Sequence, residues 1–344
     1  MRYRWRCAVA SVGLLAAPAS AAAQDGAPAG TVALRDVTMP PSSFLSEAAL
    51  EALRNPRART GPRNDTLDAA TLARFPVRVE RVTLGGIAAM RVSPARLQTP
   101  AEKRHALIYM RGGGARREEY FGVPDVAPVV AGSGYTVYAI AYRGAPDAYF
   151  PAATDDALNV YQVLLKSHRA KDIAIFGSSF GGGLSGQLIA RILHDGLPRP
   201  AALAILCAGL AGPGGDSLIL SAALAGRPPS PARADQISSG PNPLDYYRTA
   251  RPDDPLFRPV ASPPLLARFP PTFLSAGSRG VEMSQAAYSH NMLRESGVEA
   301  ELHVWDGLPH CFQSDDRLPE SAQLHRRLIE FLRRAFAGSY PAKR

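Results

Sequence analysis

The chain is poor in cysteine and tryptophan, with three cysteines and two tryptophans among 344 residues. Cys7 lies in an N-terminal segment that we expect to be removed, and Cys207 and Cys311 lack the spacing of a metal-ligand set. Two cysteines cannot form a disulfide framework for a core of this size. We therefore expect both to be buried thiols, with a single bridge between them as the alternative.

Positive charges exceed negative charges only moderately. Lys and Arg number 39 against 30 Asp and Glu, which gives a net charge of +9. Basic doublets such as Arg116-Arg117 and Arg326-Arg327 are scattered, and such doublets are typical of a solvated surface rather than a nucleic-acid-binding stripe. With 46% hydrophobic and 20% charged residues, the composition indicates a soluble globular protein. No nucleic-acid partner is expected.

Residues 1–23 have the pattern of a secretory signal peptide. Arginines at positions 2, 4 and 6 precede an apolar core at 8–17, and Ala21-Ala22-Ala23 offers a cleavage site before Gln24. This core is about half the length that a bilayer-spanning helix needs, which is about twenty residues. We expect a secreted or periplasmic protein with no stable membrane association after cleavage. An uncleaved anchor is the alternative.

The rest of the sequence predicts a cap or linker at 24–75, with one amphipathic helix over 43–53, and a catalytic domain at 76–338. A period-two pattern around Gly85-Gly86 predicts a hairpin. Short apolar strands then alternate with helices, which is typical of an α/β fold with a parallel sheet covered on both faces. Residues 212–271 interrupt this rhythm as an insertion near the site. The strands are expected at 77–84, 87–92, 106–110, 135–142, 173–176, 201–206, 272–276 and 302–305, and the helices at 154–166, 179–194, 284–296 and 321–336.

A nucleophile is indicated by the motif G-x-S-x-G at 177–181. The motif follows a predicted strand and opens a predicted helix, where its glycines permit a sharp turn that exposes the hydroxyl of Ser179. Such a serine needs a base. Of the seven histidines, His310 is placed on a loop just past a strand end, and the order serine then histidine suits an α/β-hydrolase.

A glycine triplet follows the third predicted strand. The backbone N–H groups of Gly112 and Gly113 could approach a substrate closely, and the N–H of Phe180 would be a further donor to an oxyanion. A phosphate-binding loop is the competing interpretation. The sequence here has neither the Lys-Ser/Thr pair of a P-loop nor a G-x-G-x-x-G pattern.

From Val77 to Phe336 the sequence resembles the bacterial hormone-sensitive-lipase-like esterases, a group of α/β-hydrolases. The resemblance covers about three-quarters of the chain and rests on residues 112–114, 142–147, 150–156, 177–181, 254–256, 270–272 and 297–310. It implies an eight-stranded, mostly parallel sheet and an N-terminal cap. It also implies hydrolysis of short-acyl carboxylic esters by a serine–acid–histidine triad, with a small-molecule ester as substrate and no metal or organic cofactor.

Three residues next to these motifs depart from the family pattern. Arg111 stands where the family has a histidine before the glycine triplet, and Ser178 and Phe180 replace the commoner Asp and Ala around the nucleophile. We expect Arg111, Gly114 and Ser178 to contact the substrate. A guanidinium that points into the pocket would favour anionic esters, because it binds a carboxylate in a bidentate manner. The alternative is an Arg111 that points outward to Glu118 or Glu119.

The position of the triad acid is the most serious departure. Gly280 stands where the family carries its carboxylate, and the nearest acid is Glu282, two residues further on. Glu282 is the first candidate to orient His310, and Asp216 is the second. Asp306 and Asp315, which flank His310, are weaker candidates. A Ser-His dyad without an acid remains a further possibility.

Together these features predict a serine hydrolase of short-acyl esters or lactones, with Ser179, His310 and Glu282 as catalytic residues. The replaced histidine and the displaced acid also fit a family member that binds acyl or lactone ligands without turnover. A serine peptidase on the same fold is a weaker alternative.

Export gives the first testable prediction. N-terminal sequencing of the native secreted protein should find a mature chain that begins at or near Gln24. A chain that retains Met1 would contradict cleavage and support the uncleaved anchor.

Overall fold

The computed structural model describes residues 38–55, 65–114, 120–224 and 246–340. The predicted signal peptide, the pair Arg116-Arg117 and residues 225–245 of the predicted insertion lie outside these ranges. Within them, no helix combines the length and the apolar character needed to cross a bilayer. The helices are α1 (Glu47–Arg54), α2 (Ala69–Arg74), α3 (Pro100–Lys103), α4 (Val123–Ser133), α5 (Ala152–Leu164), α6 (Phe180–His194), α7 (Asp216–Leu224), α8 (Pro263–Leu266), α9 (Met283–Glu295) and α10 (Pro319–Phe336).

Among the described residues, eight strands form one sheet in the order β1-β2-β4-β3-β5-β6-β7-β8. The pairs β1–β2 and β2–β4 are antiparallel and the others are parallel. The predicted α/β fold with a mostly parallel sheet is therefore confirmed. The strands are β1 (Val77–Leu84), β2 (Ile87–Pro94), β3 (Ala106–Met110), β4 (Thr136–Ile140), β5 (Ile173–Ser178), β6 (Ala202–Leu206), β7 (Thr272–Gly277) and β8 (Ala300–Trp305).

Four central strands, β3, β5, β6 and β7, are buried along their whole length. Their apolar runs fit this position, because a parallel strand covered on both faces has no solvent side to fill with polar residues. In the register, Met110 pairs with Gly177, and Leu206 pairs with both Ser178 and Ser275. The loops that follow these strands therefore begin side by side at one edge of the sheet.

Helices cover both faces of the sheet and form two hydrophobic cores. Tyr161 of α5, Leu188 of α6 and Leu293 of α9 belong to one core. Val126 of α4 and Phe331 of α10 belong to the other. The helices predicted at 154–166, 179–194, 284–296 and 321–336 are all present, with ends that differ by at most two residues.

Helix α4 was not expected from the sequence, because Pro124 and Pro128 interrupt its pattern. Pro124 is tolerated in the first turn, where the missing N–H would have no intrahelical partner. The N-terminus is capped from a distance. The Asp65 carboxylate accepts 2.8 Å hydrogen bonds from the N–H groups of residues 121, 122 and 123. A carboxylate at this end also complements the helix dipole, and no local pattern could reveal it.

The described part of the predicted cap packs against α10. Helix α1 begins after Ser46, whose N–H and Oγ donate hydrogen bonds to the Glu320 carboxylate at 2.9 and 3.0 Å. The helix expected at 43–53 is thus present at Glu47–Arg54. That this segment covers the site stays a prediction.

One buried histidine makes the stability of the fold depend on pH. His325 lies on α10 and is 8% exposed, and burial lowers its pKa to about 4. The unfolded chain takes up this proton near pH 6.5, while the folded chain does not until about pH 4. The free energy of unfolding should therefore fall by roughly 3 kcal/mol between these pH values on account of His325.

Urea unfolding of wild type and His325→Leu between pH 4 and pH 7 should show a smaller fall in the variant. Replacement of the exposed His194 by Gln is the matched control and should keep the wild-type slope. Equal slopes in wild type and His325→Leu would contradict this account.

Candidate active site

Ser179 occupies the sharp turn between β5 and α6, with φ 53° and ψ −124°. A left-handed φ is strained for a residue other than glycine, and such strain is concentrated at functional sites. The Ser179 N–H donates to Leu206 O at 2.8 Å, which joins the turn to β6. A Cβ at Gly181 would lie 2.0 Å from Met110 O, so glycine is required there. This is the exposed strand-to-helix turn that the motif predicted.

A chain of two hydrogen bonds connects Ser179, His310 and Glu282. Ser179 Oγ lies 2.9 Å from His310 Nε2, and His310 Nδ1 lies 2.7 Å from Glu282 Oε2. A carboxylate can only accept, so Nδ1 carries the proton and Nε2 is left to accept from the serine hydroxyl. Ser179 and His310 are partly exposed, whereas the Glu282 side chain is fully buried.

The departure at Gly280 has a local explanation. Glu282 ends the loop after β7, and its carboxylate turns back to accept the Gly277 N–H at 3.2 Å. A Cβ at Gly280 would lie 2.3 Å from both Glu282 oxygens, so the absent side chain leaves the space that this carboxylate needs. Glycine at position 280 therefore allows Glu282 to supply the carboxylate to His310.

The other acids named from the sequence are not beside His310. Asp216 is an exposed residue at the start of α7. The Asp306 carboxylate accepts from Ser278 Oγ at 2.8 Å and from Ser42 Oγ, and Asp315 accepts from Arg317 Nε at 2.7 Å. Glu282 is the acid that the structure brings to the histidine.

The glycine triplet passes close to Ser179. A Cβ at Gly112 would lie 3.2 Å from the Cβ of Ser179, and Gly113 and Gly114 have left-handed φ values of 103° and 74°. Phe180 is the first residue of α6, where the N–H has no intrahelical acceptor. Gly112, Gly113 and Phe180 are thus gathered around Ser179.

Arg111 does not line the site, which corrects the expectation that it contacts substrate. The residue is fully buried, and its guanidinium carbon lies 4.9 Å from the centre of the Tyr142 ring. Its Nη1 donates to Gly112 O at 3.1 Å, and Tyr142 Oη donates to Arg111 O at 2.8 Å. Arg111 therefore supports the glycine loop from beneath. The alternative partners Glu118 and Glu119 lie outside the described residues.

Ser178 is also buried, at 4% exposure, and the expectation that it contacts substrate is corrected in the same way. Its Oγ lies 2.7 Å from Tyr109 Oη, and Tyr109 donates to Asp125 Oδ2 at 2.9 Å. Burial, together with the Asp125 charge, holds the pKa of Tyr109 well above its usual value. Because the single Tyr109 proton goes to Asp125, Ser178 donates to Tyr109. The sequence offered no signal for this support beneath the turn.

An aromatic cluster packs beside the nucleophile and was also missed. The Phe180 ring centre lies 5.7 Å from that of Tyr246 and 5.2 Å from that of Tyr247. Tyr247 also contacts Phe150 and Phe257. Tyr246 and Tyr247 belong to the predicted insertion, so at least its C-terminal part reaches the site.

Cys207 and Cys311 form a disulfide, so the expectation of two buried thiols is wrong and the alternative holds. Cys207 directly follows β6, and Cys311 directly follows His310. Their sulfurs and a His310 ring nitrogen lie within 4.8 Å of one another. A metal would require thiolates at the two cysteines, and the bridge removes them.

Comparison with known proteins agrees with this fold. Residues 107–314 match the alpha/beta hydrolase fold family. LipR of Mycobacterium tuberculosis, an acetyl-hydrolase by its name, is 34% identical over 144 residues, which are 41% of this chain and 46% of LipR. The carboxylesterase/phospholipase LipF of the same organism is 29% identical over 222 residues, 59% of this chain and 54% of LipF. The chain spans about half the length of these curated relatives.

Solved structures extend the likeness over most of the chain. Esterase E25 superposes with a TM-score of 0.72 and 25% identity, covering 88% of this chain and 98% of its own. An esterase from the bacterial hormone-sensitive lipase family has a TM-score of 0.66 and 26% identity, covering 79% of this chain and 86% of its own. The chain belongs to the alpha/beta hydrolase fold family, and its likeness to the hormone-sensitive-lipase-like group is confirmed.

The relation between Gly280 and Glu282 gives a direct test of the site. Gly280 has no left-handed φ, so alanine suits its backbone and acts only through the added Cβ. Gly280→Ala should push the Glu282 carboxylate away from His310. We expect phosphorylation of Ser179 by a fluorophosphonate to become at least about tenfold slower, since an orienting carboxylate is worth up to about 10⁴-fold in rate.

Gly214→Ala is the matched control, because a Cβ there would meet none of the described atoms within 4 Å. It should be labelled at the wild-type rate. Equal labelling of Gly280→Ala and wild type would show that the carboxylate position does not matter to the serine.

Proposed function

We propose that this protein hydrolyses short-acyl carboxylic esters through an acyl-enzyme intermediate on Ser179. One observation carries the proposal: the unbroken path from Ser179 Oγ to His310 Nε2 at 2.9 Å and from His310 Nδ1 to Glu282 at 2.7 Å. A hydroxyl is a weak nucleophile unless a base takes its proton as it attacks. This path supplies the base and the group that orients it.

In the acylation step, Ser179 Oγ attacks the ester carbonyl carbon while its proton passes to His310 Nε2. The buried Glu282 carboxylate stabilises the imidazolium that forms and keeps the ring in position. The carbonyl oxygen becomes an oxyanion, for which the N–H groups of Gly112, Gly113 and Phe180 are the donors. His310 then returns its proton to the leaving alcohol.

Deacylation repeats these roles with water as the nucleophile. His310 accepts a proton from water as the water attacks the acyl carbon, and the same three N–H groups hold the second oxyanion. Collapse of this intermediate releases the acid and restores the hydroxyl of Ser179. Both half-reactions use the same atoms, so no further catalytic group is required.

Short acyl groups are proposed for two reasons. Phe180 places a large side chain directly after Ser179, where the resembled family more commonly has Ala, and Tyr246 and Tyr247 pack on this ring. LipR and a relative in Streptomyces hygroscopicus are named as acetyl-hydrolases. Small lactones present the same carbonyl chemistry and belong in the first substrate panel.

Export to the periplasm or the medium is part of the proposal. The Cys207–Cys311 bridge supports it, since disulfides persist in oxidising compartments and are rare in a reducing cytosol.

The function is tested by p-nitrophenyl acetate, butyrate and octanoate and by small lactones. Ser179→Ala and His310→Ala should each lose about 10⁶-fold in kcat, and the double variant should lose no more, because residues that act as one unit are not additive. Independent, multiplying defects would contradict a shared mechanism. Ligand binding without turnover in the wild type would support the binding protein instead.

The acid is tested in the same assay by Glu282→Gln, which keeps a polar group of the same shape. We expect a loss of about 10⁴-fold in kcat, as for other triads that lose the orienting carboxylate. Asp216→Asn is the matched control and should remain close to wild type. A loss below about tenfold in Glu282→Gln would leave a Ser-His dyad as the mechanism.

A further inference from the structure

The loop that carries His310 is connected to the loop of Glu282 by hydrogen bonds and to the end of β6 by a disulfide. On the acid side, the Arg279 N–H donates to Leu308 O at 3.0 Å, and the Gly307 N–H donates to Ser278 Oγ at 2.8 Å. These hydrogen bonds fix the histidine loop relative to the loop that carries Glu282. They do not connect it to the strands beneath Ser179.

The disulfide makes that second connection. The Ser179 N–H donates a hydrogen bond to Leu206 O, and Cys207 is the residue after Leu206. Cys207 is bonded to Cys311, the residue after His310. One covalent link therefore closes the path from the nucleophile to its base. Cys311 Sγ also lies 3.5 Å from His310 Nε2, the nitrogen that faces Ser179.

Both cysteines have left-handed backbones, with φ 48° at Cys207 and φ 55° at Cys311. Residues with a Cβ rarely adopt this conformation, and they keep it only where surrounding constraints hold them. Removal of the bridge frees the loop at Cys311 to relax toward the ordinary region. His310 is the adjacent residue and moves with it.

We propose that the Cys207–Cys311 disulfide is a positioning element that sets the distance between Ser179 and His310, and that its reduction by an external dithiol slows catalysis. This proposal rests on the proposed function. Reduction of the disulfide should alter the Ser179–His310 contact and leave substrate binding unchanged. We therefore expect it to lower kcat and to leave KM nearly the same.

The chemistry of reduction is direct. Cys311 is partly exposed and Cys207 is 2% exposed, so a thiolate of the dithiol attacks Cys311 Sγ. The bond to Cys207 breaks, and Cys207 leaves as a thiolate that takes up a proton. Gln313 Nε2, 3.2 Å from Cys207 Sγ, is a donor in place to stabilise that thiolate. The second thiol of the reagent then releases Cys311 and leaves as a cyclic disulfide, a two-electron exchange.

The test compares oxidised wild type, wild type reduced with dithiothreitol, and Cys207→Ala/Cys311→Ala in the full chain below the unfolding temperature. Reduction and the double variant should each lower kcat by about 10- to 100-fold, the effect of a roughly 1 Å misplacement, with KM within about threefold. Reoxidation should restore the wild type. Dithiothreitol should not change the double variant.

Phe331→Leu is the control for lost stability, because this buried residue of α10 contacts Phe273 and Tyr340 rather than the site. It should lower Tm and keep kcat. A bridge that only stabilises the fold would behave as this variant does. An unchanged kcat in the reduced wild type would therefore overturn the proposal.

A readout without turnover separates this proposal from the proposed function. The ¹⁵N resonances of the His310 ring in the unliganded protein should shift on reduction, because its contact with Ser179 Oγ is weakened. The shift should be smaller in Ser179→Ala, which lacks this contact but keeps Cys311 Sγ 3.5 Å from Nε2. Unchanged resonances would overturn the positioning role even if no ester were hydrolysed. Absent hydrolysis by the oxidised wild type, together with a clear shift, would contradict the function alone.

Discussion

The hydrogen bond between Ser179 Oγ and His310 Nε2 is the contact on which the rest of the site depends. It joins residues 131 positions apart at 2.9 Å, so neither segment can fix it alone. Three supports meet at this contact. The turn after β5 presents the hydroxyl, Glu282 orients the imidazole, and the disulfide ties the histidine loop to β6. Each of these supports acts on either Ser179 or His310. The register of the parallel strands brings the three supports to the same edge of the sheet.

Backbone strain is concentrated at the same place. Among the described residues, positive φ values outside glycine occur at Ser179, Cys207 and Cys311. Each lies in the site or beside it, and a residue with a Cβ held in such a sparsely populated backbone region costs about 1–3 kcal/mol. The buried strands and the two helix layers hold the turn in this conformation. The geometry of the turn at Ser179 thus depends on the core beneath it, including Tyr109 and Ser178.

The strand pattern was predictable because the buried strands are short, apolar and separated by helices of ordinary length. Helix α4 was not predictable, since its prolines argue against a helix and its cap comes from Asp65, more than fifty residues away. Ser179 and His310 followed from motif and chain order. For the acid, the sequence named Glu282 first and left three other acids and a Ser-His dyad open. The reach of Glu282 depends on the space at Gly280, which only the folded loop reveals.

The pairing of Cys207 with Cys311 and the orientation of Arg111 also could not be predicted from the sequence. Nothing local links two cysteines 104 residues apart, because their proximity comes from the order of strands and the path of the histidine loop. On sequence grounds, Arg111 could point into the pocket or outward to Glu118 or Glu119. The structure buries Arg111 against Tyr142 and Gly112, so the pocket-facing alternative does not hold.

A crystal structure of the full chain after reaction with diethyl p-nitrophenyl phosphate would show directly whether Ser179 is the nucleophile. We expect phosphorus on Ser179 Oγ and a phosphoryl oxygen about 3 Å from the N–H groups of Gly112, Gly113 or Phe180. His310 should remain hydrogen-bonded to Glu282. A phosphoryl group on another residue, or a Glu282 carboxylate turned away from His310, would contradict this expectation.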